Sequence, residues 1–72
     1  MKHPAQTFLE EIEEFLNRTS MPAYKFGRLA LNDPNFVGDL RGGRMPNLGL
    51  VARVHSFMSD YEKTRADQET AA

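Results

Sequence analysis

Apolar side chains recur along the first quarter of the chain with the period of a helix. Phe8, Leu9, Ile12, Phe15 and Leu16 fall at i, i+1, i+4, i+7 and i+8, and they predict an amphipathic helix over Ala5 to Arg18. The opposite face holds Glu10, Glu11, Glu13 and Glu14, placed early enough to suit the positive end of the helix dipole. Asn17 to Ser20 is polar, and Ser20 is the expected N-cap of a second helix, about Met21 to Leu31. Pro22 falls in its first turn, where a missing N–H costs nothing. Tyr24 or Phe26, with Leu29 and Ala30, supplies the inner face, while Lys25 and Arg28 lie outside.

Turn residues divide the remainder. Asn32-Asp33-Pro34 ends the second helix and starts a short third one, about Pro34 to Arg41, with Asp33 as N-cap and Pro34 at the first helical position. Phe36, Val37 and Leu40 form its buried stripe, and Gly42-Gly43 stops it, because glycine adopts the left-handed cap conformation cheaply. Pro46 and Asn47 open a fourth helix, about Asn47 to Lys63, with apolar positions Leu48, Val51, Val54, Met58 and Tyr61, and Leu50 and Phe57 beside them. Beyond Thr64 the sequence ADQETAA holds no apolar residue larger than alanine and is expected to be disordered. No strand pattern, repeat or low-complexity segment interrupts this order. The expected fold is all-α: a compact domain of four helices, or four to five, containing a helix-turn-helix, over residues 1–64, with a disordered tail at 65–72.

Composition narrows the physics more than the function. A chain of 72 residues without cysteine has room for one small core and no disulfide or thiolate metal site, so packed apolar side chains must hold it. No apolar run approaches the ~20 residues needed to span a membrane, and no signal-peptide pattern opens the chain, so the expected location is cytoplasmic. The net charge of −1 conceals segregation. Residues 1–17 set Lys2 against four glutamates, net −3; residues 18–53 set Arg18, Lys25, Arg28, Arg41, Arg44 and Arg53 against Asp33 and Asp39, net +4; residues 54–72 return to −2. Only the second and third helices and their flanks are basic. Local charge sets attraction to phosphate, because salt screens exposed charges beyond about 8 Å.

Catalytic and metal chemistry find no support in the residue pattern. His3 and His55 stand alone, without cysteine or a carboxylate at ligand spacing, and the EEIEE run reads as a solvated helical face. The glycines of Gly42-Gly43-Arg44 follow a helix and lack the lysine of a phosphate-binding loop. No enzyme activity, cofactor or metal is expected.

An amphipathic helix, then FGRLALNDPNFVGDLRGGR over Phe26 to Arg44, then a Pro-initiated helix, resembles the Cro/CI-type (XRE-like) helix-turn-helix proteins over roughly residues 6 to 62. Gly27 matches the place where that family has a small residue so that two helices cross closely. Phe26, Ala30, Val37 and Leu40 match its buried positions, and LRGGRMPNL at 40–48 is similar to its exit from the recognition helix. The turn departs from the pattern: Leu31 and Asn32 stand where the family usually has a glycine and then an apolar residue. The resemblance implies a small regulator of phage, mobile-element or bacterial type that binds double-stranded DNA, with the third helix in the major groove.

With Phe36, Val37 and Leu40 turned inward, the third helix presents Asn35, Gly38, Asp39 and Arg41. Asn35 can pair with adenine or supplement the helix cap, and Asp39 can accept from a cytosine amino group or pair with an arginine. Gly38 lets backbone approach the DNA. Arg41 and Arg44 can meet phosphate or guanine, or cap the helix end, and Lys25 and Arg28 suit phosphate contacts that position without specifying sequence. One such unit reads a half-site, so a homodimer or a protein partner is expected, with Leu50, Phe57 and Tyr61 either pairing or completing the core. The alternative is a protein-interaction module, or the DNA-binding half of a two-protein activator or recombination accessory complex. Its acidic first helix would then meet a polymerase subunit or sigma-like factor.

Overall fold

The computed structural model describes the backbone of residues 4–71 and the side chains of residues 6–65. Four helices follow one another: α1 Pro4–Thr19, α2 Ala23–Leu31, α3 Phe36–Arg41 and α4 Leu48–Ala71. Among the described residues there is no strand, and no helix is long and apolar enough to cross a membrane. His3 lies outside the described residues, as do the side chains of 66–72. The backbone of α4 is helical to Ala71, through most of the segment expected to be a disordered tail.

The apolar face of α1 is buried as its spacing predicts: Phe8, Ile12, Phe15 and Leu16 enter the core, and Leu9 packs partly against it. The glutamates sit differently from expectation. Because the helix begins at Pro4, its first turn holds no acidic residue, and Glu10 to Glu14 occupy its middle. The end of α1 also corrects the reading of Ser20. That residue takes a left-handed conformation, φ 56°, and the Met21 N–H donates to the Leu16 carbonyl at 3.1 Å. Ser20 therefore closes α1 and does not cap α2. Pro22 stands at the N-cap of α2, without a side-chain cap, and its carbonyl accepts from the Phe26 N–H at 3.1 Å.

An aromatic cluster joins three helices. The Phe15 ring meets Phe26 of α2 and Tyr61 of α4, each at 5.5 Å between centroids, while Phe26 and Phe57 stand edge-to-face at 5.4 Å. Such edge-to-face pairs add about 0.5–1.5 kcal/mol beyond the area they bury. The α3 stripe of Phe36, Val37 and Leu40 completes the core, with Met21 and Val54. Two expected core residues lie outside it. Leu29 is 51 % exposed on the outer side of α2, and Leu48 is 88 % exposed. Leu48 is the first residue of α4 after the Asn47 cap, whose Oδ1 accepts the Leu50 N–H at 2.8 Å. Its side chain thus points away before the helix reaches the core.

Candidate nucleic-acid interface

Helices α2 and α3 are the most closely apposed pair of elements, and a glycine makes this possible. Gly27 is buried, and a Cβ added there would collide with the Asp33 carbonyl oxygen and stand 3.2 Å from Phe36 Cβ. Its carbonyl accepts the Asp33 N–H at 3.1 Å, which folds the chain back directly after α2. The turn itself uses Asn32, φ 57° and ψ 35°, as its left-handed residue. Asparagine tolerates that conformation better than other residues with a side chain, so the turn closes without glycine. Leu31 remains helical.

Asp33 is not the N-cap its residue type predicts: Asn35 holds that position, without a side-chain cap, and Asp33 ties the turn that precedes it. Its Oδ1 accepts the Asn35 N–H at 3.1 Å and its carbonyl accepts the Phe36 N–H at 3.1 Å. Pro34 and Asn35 thereby form a tight lead-in turn, and α3 begins at Phe36, two residues later than its expected start at Pro34. The glycine stop behaves as expected. Gly43 has φ 106°, its N–H donates to Leu40 O and the Arg44 N–H to Asp39 O, both at 3.0 Å, which is the Schellman pattern.

The candidate contact residues fall into two groups. Asn35, Gly38 and Asp39 are exposed on the outer side of α3, and a Cβ at Gly38 would meet nothing within 4 Å. The arginines nearby are engaged. Arg41 grips Glu13 of α1 in a two-point fork, Nε to Oε2 at 3.1 Å and Nη2 to Oε1 at 2.6 Å. The hydrogen bonding that Arg41 donates to Glu13, and then the charge of that carboxylate, raise the Arg41 pKa further above its already high value. Arg44 Nη1 lies 3.3 Å from Asp39 Oδ2 and 3.5 Å from Asp33 Oδ2. Asp39 thus takes the ion-pair arrangement of the two that its position allows.

On α2, by contrast, Lys25 and Arg28 are exposed and have no carboxylate within ion-pair range among the described residues. Of the six cations in the basic segment, Arg18 joins Glu14 and Glu62, and Arg41 and Arg44 are paired as above. Lys25, Arg28 and Arg53 stand free among the described residues. The unpaired positive charge of this segment therefore sits on α2 and, through Arg53, on α4. The acidic run of α1 is engaged within the chain as well: Glu11 reaches His55 at 3.0 Å, Glu13 holds Arg41 and Glu14 lies 3.6 Å from Arg18. Glu14–Arg18 is an i, i+4 pair within α1, whereas Glu13–Arg41 and Glu11–His55, 28 and 44 residues apart, have no signal in local spacing.

Comparison of the chain with protein-family models, with curated proteins and with solved structures finds no match.

Proposed function

We propose that the chain is a non-enzymatic, sequence-specific binder of double-stranded DNA that regulates transcription, acting in the cytoplasm at the nucleoid. In this reading α3 and its lead-in turn, residues 34–41, lie in the major groove, where a helix fits a width of about 12 Å. Asn35, Gly38 and Asp39 face the base edges, and Lys25 and Arg28 of α2 meet phosphates. Arg41 and Arg44 take part by exchanging their carboxylates for phosphate oxygens. The observation that carries the reading is the α2–turn–α3 unit locked through Gly27, with the outer side of α3 left uncovered by the rest of the fold.

Selection from a pool of random duplexes tests it. The proposal expects enrichment of a short motif and affinity that falls steeply with salt as counterions are released. Asn35→Ala is expected to relax preference at one base position by about 1–3 kcal/mol, if the contact is bidentate. A pool that emerges unenriched, with binding indifferent to Asn35→Ala and Arg44→Ala, would remove it.

A further inference from the structure

We infer that Arg53 carries the duplex contact of the helix-turn-helix onto α4, by holding one backbone phosphate in the hollow between α4 and the α2–α3 turn. This rests on the DNA reading above and adds to it a residue outside α2 and α3. The hollow, about 390 Å³, is walled by Asp33 of the turn, Arg44 beyond α3, Asn47 before α4 and Arg53 within it, with Leu31 and Leu50 as its apolar part. Asp33 precedes α3 and Arg44 follows it, so the hollow lies alongside that helix. A major groove is walled by two phosphate backbones, and a surface flanking a helix seated in the groove therefore faces phosphate.

Charge and donors suit that group. Two guanidiniums against one carboxylate leave the hollow one net positive charge. Arg53 is exposed and has no carboxylate within ion-pair range among the described residues, so its charge is unopposed. Arg44 reaches Asp39 and Asp33 through Nη1 alone, at 3.3 and 3.5 Å, so a phosphate oxygen can be met at Nε or Nη2 before either carboxylate is released. Asp33 is engaged from both sides, since its Oδ1 accepts the Asn35 N–H at 3.1 Å and its Oδ2 faces Arg44. Arg53 also borders the neighbouring hollow that holds Asp60, but the two form no ion pair. A phosphate group can come from a duplex or from a free anion. The cations here are exposed, which suits one phosphate of a strand held at several points; a free anion would have this single screened contact as its whole affinity.

Duplex binding of the full chain across a salt series tests it, with the folding of each variant checked by circular dichroism. R53A is expected to weaken binding about equally for all sequences and to lower the log–log salt slope by about 0.9, the loss of one phosphate contact. R53K keeps the charge and should keep the slope. K63A removes the same charge ten residues further along α4, about 15 Å by helical rise and beyond a screening length of about 8 Å, and should leave the slope unchanged. A wild-type chain that binds with a steep slope, which R53A leaves in place or which R53K or K63A lowers as much, overturns the inference and spares the DNA reading. A wild-type chain indifferent to duplex removes both. Titration of inorganic phosphate without DNA separates the other source: saturation below millimolar concentration that R53A abolishes, beside a duplex slope that R53A does not move, overturns the duplex assignment in favour of a free anion.

Discussion

Helices α2 and α3 meet at one turn, yet they use the same residue types in opposite ways. Each contains a glycine. Gly27 is buried where added bulk collides with backbone, whereas Gly38 looks onto open space. Each side also carries cations. Lys25 and Arg28 on α2 are free among the described residues, while Arg41 and Arg44 at the end of α3 are held by Glu13, Asp33 and Asp39. One helix is therefore fastened sterically and left electrostatically available. The other is sterically open and electrostatically quiet. If the chain binds DNA, attraction and reading are divided between the two helices.

The steric half of this contrast predicts the largest effect. Gly27→Ala gains up to about 1 kcal/mol of helix propensity but must push the Asp33 carbonyl away, and overpacking of this kind costs about 1–3 kcal/mol, occasionally more. Backbone gives way less readily than a side-chain tip, so the net is expected to be a loss of roughly 2 kcal/mol in urea unfolding. An unchanged or raised midpoint would mean that α2 and α3 are not locked through this position.

The electrostatic half predicts the next effect. Replacing Lys25 and Arg28 together by alanine should weaken duplex binding about equally for all sequences. It should lower the log–log salt slope by about one unit per cation. Arg41→Ala should remove less, because binding through Arg41 must first displace Glu13. Equal slope losses for Arg41 and Lys25 would break the division between the helices.

The difference between α2 and α3 is only partly legible in the sequence. Period and punctuation reveal which residues of α1 and α3 turn inward and where α3 stops, because Phe8, Ile12, Phe15, Phe36, Val37 and Leu40 are large and Gly42 and Gly43 follow the last turn; the start of α3 falls two residues beyond the one that Asp33 and Pro34 predict. The same logic misplaces Leu29 and Leu48, since an apolar residue at a helix edge or first turn carries no mark of which way its turn faces. Ser20 has the residue type of an N-cap for α2 and instead closes α1, a choice that depends on the backbone angle and not on residue type. Candidate contact residues can be found by position. Their ion pairs cannot, because Glu13 and Arg41 are brought together by the packing of α1 on α3 and by nothing in their local spacing.

A smaller and opposite stability effect belongs to Gly38. Alanine there meets no neighbour and relieves the backbone entropy of a helical glycine, so Gly38→Ala should stabilise the fold by about 0.5–1 kcal/mol. Under the proposed function the same substitution adds bulk to the face presented to DNA and should lower affinity. Stability rising while binding falls is the expected pair of outcomes. A Gly38→Ala chain that is more stable and binds as before would place the contact face elsewhere.

The smallest effect is expected where the structure looks most tightly bound. The two-point Arg41–Glu13 pair has good geometry, but both side chains remain about half exposed, at 50 % and 42 %. Water and salt screen such a pair, and exposed pairs contribute about 0–1 kcal/mol, so Glu13→Gln should shift thermal unfolding only slightly. Its consequence for charge is larger than its consequence for stability. Removing the carboxylate frees a permanently protonated guanidinium at the end of α3, which should raise duplex affinity at low salt and steepen the salt slope. If α3 is electrostatically quiet because Glu13 holds Arg41, this one change should make it resemble α2. If affinity and slope do not move while Lys25 and Arg28 still matter, Arg41 serves the α1–α3 contact alone, and the contrast between the helices reflects their distance from DNA and not their pairing.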